Sequence, residues 1–216
     1  MTGRADELVA LAEPARTALS AAHVAREAGL AACRRTIRAS GSAIRAVHRL
    51  QPDVADSFVA EAGAALDEAH VALAPHPAVA FAGFLHDAEK EYAEACLTVA
   101  LVAGTPLPGF AELGVNPPAW LNGMAEAASE LRRHLLDRLR DGDLERAESL
   151  LRAMEDVYDL LVTVDFPDAI TGGLRRTTDA LRAVLERTRS DLTTTVLQMR
   201  LQAAIERRVP EGGAPG

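Results

Sequence analysis

Leu30-Ala31-Ala32-Cys33-Arg34-Arg35-Thr36-Ile37-Arg38-Ala39-Ser40-Gly41-Ser42-Ala43-Ile44-Arg45-Ala46-Val47-His48-Arg49-Leu50 carries two stripes of opposite character. Leu30, Cys33, Ile37, Ile44 and Val47 recur in helical steps and not in the alternation of a strand. Beside them, Arg34, Arg38, Arg45, His48 and Arg49 fall within roughly 100° of one another on the same helical wheel. Working outward, the helical period extends back to about Asp6, with Pro14 expected to interrupt it or to start a new first turn. Gln51-Pro52-Asp53 ends it. Further helices are expected over 53–74, 78–103, 118–140 and 143–164, and from 172 to about 208. Breaks fall at Pro75-His76-Pro77, at Asp141-Gly142-Asp143 and at Asp165-Phe166-Pro167-Asp168. The Gly- and Pro-rich loop 104–118 is long for a helix–helix connection, so it is expected to make contacts of its own.

Composition agrees. Of 216 residues, 49% are hydrophobic but only 4% aromatic, and Ala, Leu and Val dominate the apolar set. That favours close-packed helices over a sandwich or barrel. The expectation is an all-α single-domain bundle of six or seven mostly long helices over residues 1–208, followed by a disordered tail at 209–216. Long helices with mixed faces leave more surface to bury than one subunit covers, which points to an oligomer. No apolar stretch reaches the ~18–20 residues of a membrane span, and the start carries no secretory pattern, so a cytoplasmic protein with no membrane partner is expected. Cys33 and Cys96 lack metal-ligand spacing and read as reduced core residues.

The net charge of −8 excludes a generally basic coat for nucleic acid. Within 31–51, however, there are five arginines and no Asp or Glu. This is a local site for an anionic backbone, with Arg34, Arg38, Arg45, His48 and Arg49 as the phosphate contacts. Aromatic residues are missing from it, so little sequence preference is expected. The competing reading is a solvated face salt-bridged to a neighbouring helix. The mixed-charge segment 174–193 reads as an exposed or interface helix laced with salt bridges.

Two carboxylate pairs stand out. Glu91 and Glu94 are three apart, Glu126 and Glu130 four apart, so each pair shares a helix face. Like charges at that spacing cost a few tenths of a kcal/mol, which solvent, a cation or a nearby arginine must offset. If the two faces meet, the hard oxygen donors suit Mg²⁺ or Mn²⁺, ions that activate water and stabilise phosphoryl transfer. Spacing alone equally permits four solvated glutamates. A di-iron bundle would want Glu-x-x-His, and no Glu here has His at that place.

Lys90-Glu91-Tyr92-Ala93-Glu94-Ala95 is similar to the QEYVEA or KEYAEA segment of the translin family. Ala39 to Arg49 resembles that family's first helix. Met154-Glu155-Asp156-Val157-Tyr158, Asp165-Phe166-Pro167-Asp168, Gly173-Leu174-Arg175-Arg176 and Glu186-Arg187-Thr188-Arg189-Ser190-Asp191-Leu192-Thr193 resemble its archaeal and bacterial members. The resemblance implies an all-α protein that assembles into a closed shell, typically an octamer. Such a shell takes single-stranded RNA, and secondarily single-stranded DNA, on its inner face. Of the family's two branches, one only binds nucleic acid. The other, that of translin-associated factor X, is a Mg²⁺-dependent endoribonuclease. Its acidic residues fall on Glu91, Glu94, Glu126 and Glu130, which the resemblance makes the metal-holding and catalytic set. The full set places the chain nearer the nuclease branch. One departure is visible: Glu126 stands where that branch has Asp, and its extra methylene lengthens the ligand arm for an ion that demands near-ideal octahedral geometry. A binding module without catalysis is the second reading. A helical scaffold with no nucleic-acid ligand, suggested by the net acidity, is the third.

Overall fold

The computed structural model describes residues 3–207; Arg208 and the tail at 209–216 lie outside the described residues. Among the described residues there are nine helices and no strand. Six are long: α1 (Arg4–His48), α2 (Pro52–Leu73), α4 (Phe84–Ala103), α6 (Pro117–Arg140), α7 (Leu144–Leu161) and α9 (Leu174–Glu206). Three are single turns: α3 (Pro77–Ala80), α5 (Phe110–Leu113) and α8 (Asp168–Thr171). No described helix is long and apolar enough to cross a membrane.

Two expected boundaries are corrected. Pro14 does not break the first helix, because α1 runs through it. A proline removes one amide donor and crowds the carbonyl four residues earlier. Here that carbonyl lies on an exposed stretch, where water can take over the lost bond. The helix expected over 78–103 is instead split into α3 and α4 at Gly83, whose φ of 94° ends the helical path.

The bundle has two large apolar clusters and a small one of Ala46, Val47 and Ala55. One large cluster joins α1, α2, α4 and α6 to α7 and α9 through Cys33, Leu66, Leu97, Met124, Leu161, Leu181 and a set of alanines. The other joins α6, α7 and α9 through Leu131, Leu135, Met154 and Leu185. Both cysteines are free and buried, and burial raises each thiol to about 11, so they are inert neutral packing groups. On α4 and α6 many of the buried residues are small: Ala88, Ala93, Ala125 and Ala127 are fully buried. Gly123 takes this to its limit, since a Cβ there would lie 2.8 Å from the Lys90 carbonyl oxygen and 2.9 Å from the Glu94 amide nitrogen.

The loop 104–116 does make contacts of its own. The Trp120 indole donates to the Pro108 carbonyl at 3.0 Å, and its ring meets Phe110 edge-on. By contrast, α1 before Gly29 runs on past the end of α2. This arm of about 37 Å is exposed almost throughout.

Candidate metal and nucleic-acid site

The close approach of α4 and α6 brings three of the four singled-out carboxylates together. Glu91, Glu94 and Glu126 each offer an oxygen within 4.8 Å of the others'. The longer arm of Glu126 therefore does not take it out of the cluster. Glu94 is buried, 8% exposed, while Glu91 and Glu126 are half-buried. Burial pushes the Glu94 carboxyl up to about 9, and the charges of Glu126, Glu91 and Glu130 push the same way. Lys90 pulls against them more weakly. A buried acid surrounded by three others, all hard oxygen donors, is an arrangement that a divalent cation would stabilise.

Glu130 stands apart from that trio. Its Oε2 lies 2.7 Å from His48 Nε2, so the fourth carboxylate of the set, on α6, is held from α1. His48 shares the arginines' helical angle, but its side chain is only 8% exposed and turns inward. Its ring lies 5.5 Å from that of His134, also buried. Burial, and the neighbouring His48, lower the His134 pKa and so favour its neutral form.

The other four members of the stripe, Arg34, Arg38 and Arg45 on α1 and Arg49 capping its end, are all exposed. None forms an ion pair within the described residues, whereas the adjacent Arg35 is tied to Glu68 of α2. Arg45 only donates to Ser42 Oγ, at 2.9 Å. Arg45 and Arg49 flank His48 in sequence. The His48–Glu130 bond thus ties the stretch of α1 that carries Arg45 to the helix that carries Glu126.

Three contributors escaped the reading of the sequence. Lys90 Nζ donates to both oxygens of Glu126, at 2.7 and 2.9 Å, and lies 3.4 Å from Glu91. Burial would lower its pKa, but the bond to Glu126 and the surrounding negative charge outweigh that and raise it. Glu89, 2% exposed, accepts from His70 Nε2 at 2.9 Å and from the side chain and amide of Asn116, the residue that starts α6. This latch fixes the start of α6 against α4 and α2. The signal for it was an acid at the head of an apolar run, Glu89-Ala93-Cys96-Ala100, with helical spacing. Gly123, a glycine inside a helix, was the third.

A separate cleft of about 700 Å³ lies between the end of α7 and α8–α9, lined by Tyr158, Asp165, Phe166 and Arg175 among others. It contains none of the site carboxylates.

No family model matches the chain. An uncharacterized protein of Methanocaldococcus jannaschii is 29% identical over 128 residues, which is 59% of this chain and 57% of that protein, so the match spans little more than half of the relative. Among solved structures, AfC3PO superposes with a TM-score of 0.80 and 32% identity over 86% of this chain, both alone and in a complex with duplex RNA. The match covers 96% of the AfC3PO chain in the RNA complex. Apo-NeC3PO shares the fold, with a TM-score of 0.75 at 19% identity over 90% of this chain and 98% of that one. The helical architecture and an identity of 32% along almost all of AfC3PO agree with the motifs around Glu91 and Asp165, and the chain belongs to the translin family, among its C3PO-type members.

Proposed function

We propose that this chain binds RNA, with single strands as its preferred form and single-stranded DNA as a second ligand, and cuts the RNA backbone with a divalent metal. The observation that carries the reading is the trio Glu91, Glu94 and Glu126, gathered within 4.8 Å, together with the exposed arginines of the α1 segment whose His48 holds Glu130 of α6. AfC3PO, solved with duplex RNA, adds support. In this reading the trio holds Mg²⁺, or Mn²⁺ in its place. When bound, such an ion supplies positive charge that acidifies water and offsets the charge of the transition state. Glu130 lies outside the trio and is oriented by His48, so it is the carboxylate placed to take a proton from the attacking water. Arg34, Arg38, Arg45 and Arg49 hold the phosphates on either side.

The test is cleavage of end-labelled single-stranded and duplex RNA with Mg²⁺, with Mn²⁺ and with EDTA, with Glu91→Gln run alongside. Metal-dependent cutting that vanishes in the variant supports the proposal. Intact RNA in every lane, with a shifted band on a native gel, favours the binding-only reading. One observation speaks for that second reading: Lys90 already provides a counter-charge for Glu126 and Glu91.

The arginine row makes a separate prediction. Arg45→Ala/Arg49→Ala should lower RNA affinity about tenfold or more at low salt and reduce the slope of log affinity against log salt by about 1.5. A titration series in NaCl checks it, and an unchanged slope assigns the phosphates elsewhere.

We also propose a homo-oligomeric shell, with an octamer as the expected state. The exposed arm of α1 carries Leu8, Leu11, Leu19 and Val24, and the end of α9 carries Leu197, Leu201 and Ile205, all more than half exposed. Apolar surface of that extent on two helix ends is what a subunit contact would cover. A monomeric mass by light scattering refutes it.

A further inference from the structure

Lys90 is the only lysine in the chain; every other member of its Lys and Arg set is arginine. The exception sits at one place, with its ammonium 2.7 and 2.9 Å from the two Glu126 oxygens and 3.4 Å from Glu91. These are two of the three carboxylates that form the metal trio. An arginine there would clamp Glu126 with a planar, bidentate fork. A lysine instead offers a compact charge on a flexible four-carbon stem, which can leave without disturbing the backbone. Because Lys90 engages both oxygens of Glu126, a divalent ion arriving at this carboxylate meets the ammonium's charge at both donor atoms, and repulsion between the two cations favours the departure of the ammonium. The pair is partly open to solvent, with side chains 22% and 33% exposed, so the displacement has a route and a modest cost.

We propose that Lys90 is a tethered cation: it caps Glu126 and Glu91 when no divalent ion is present, and the arriving ion releases it to contact an RNA phosphate. Metal and phosphate backbone then bind cooperatively, because the metal frees a charge for the phosphate and the phosphate stops that charge from returning. The proposal rests on the metal-dependent reading above. It assigns Lys90 a positioning role toward the metal and a binding role toward the substrate backbone.

The single lysine makes the test direct. Acylation of Lys90 by an amine-specific reagent, followed by mass spectrometry of its peptide, should be slow in the metal-free protein. It should speed up about fivefold with Mn²⁺, the factor expected for loss of a partly exposed ion pair. A 2′-O-methyl RNA oligonucleotide, added with the metal, should slow it again. Calorimetry supplies a second readout. Lys90→Gln should bind Mn²⁺ about fivefold more tightly than the parent and Lys90→Arg more weakly, while metal-loaded Lys90→Gln should bind the oligonucleotide less well than the parent. If the parent binds Mn²⁺ with no change in Lys90 reactivity and Lys90→Gln shows the parental affinity, the tethered-cation role is overturned and the metal site stands. If none of the three proteins binds Mn²⁺, the metal-dependent reading falls, and the role of Lys90 with it. The acylation arm uses the unaltered chain, so it decides the matter even if a variant folds poorly.

Discussion

Gly123→Val is expected to cost the protein about 3 kcal/mol of stability and to abolish tight divalent-metal binding. The reasoning starts from what a side chain at 123 would meet. The first carbon alone would lie 2.8 Å from the Lys90 carbonyl oxygen, 2.9 Å from the Glu94 nitrogen and 3.0 Å from Ala93 Cβ. Two of these are backbone atoms of a helix and cannot rotate away, so α4 and α6 must separate. They would separate at the level of Lys90 and Glu94, where the carboxylates converge. Alanine at 123 would regain about 1 kcal/mol of helix propensity, but overpacking against unyielding backbone costs about 1–3 kcal/mol, so the packing term wins. Valine adds two methyl groups and stiffens χ1, which makes the loss larger. Urea unfolding followed by circular dichroism gives the stability, and Mn²⁺ calorimetry gives the site.

Gly41→Ala is the control. There a Cβ would meet only Arg45 Nη1, at 3.3 Å, the free end of a flexible side chain. The same propensity gain should then appear uncancelled, as a stabilisation of up to about 1 kcal/mol. Should Gly123→Val unfold at the parental urea midpoint, the close approach of α4 and α6 is not what holds the carboxylates together.

The contrast between these glycines shows where reading the sequence stopped. Helix period located all six long helices, because the apolar stripe of each is a local property of its residues. The pairs Glu91/Glu94 and Glu126/Glu130 could be placed on helix faces for the same reason. Whether those faces meet depends on how α4 packs on α6, and that is decided by alanines and by Gly123, which carry no chemical signal of their own. The partners of Glu130 and Glu126 were hidden for a related reason. His48 shares a helical angle with four arginines, yet it alone of the five reaches α6, and only the packing distinguishes a phosphate contact from a bond to Glu130. Asn116 and Glu89 are 27 residues apart and meet because the intervening loop folds back. Pro14 departs from expectation for the opposite reason: on this exposed stretch of α1, solvent can satisfy the carbonyl that a proline would otherwise strand.

Glu94 should make both folding and metal binding depend on pH, in opposite directions. Its carboxyl is raised from the ordinary range to about 9 in the metal-free protein, by burial first and then by Glu126, Glu91 and Glu130. Between the ordinary Glu value of about 4.3 and the raised one, the folded protein holds a proton that the unfolded chain has lost. Stability must therefore fall as pH rises through this window, by up to about 1.4 kcal/mol per pH unit from this one group. Glu94→Gln removes the ionisable proton and should unfold with a much flatter pH dependence, overtaking the parent by about 2 kcal/mol or more at pH 8. Metal works the other way. The ion needs the carboxylate, so binding near pH 7 must expel the Glu94 proton, and affinity should climb by up to tenfold per pH unit until about pH 9. Mn²⁺ calorimetry at pH 7 in two buffers of different ionisation enthalpy counts the proton directly. One proton released per ion, absent in Glu94→Gln, is the expected result. Binding that releases none and keeps the same affinity from pH 6.5 to 8.5 would remove Glu94 from the ligand set, leaving Glu91 and Glu126 as a pair that shares the single positive charge of Lys90.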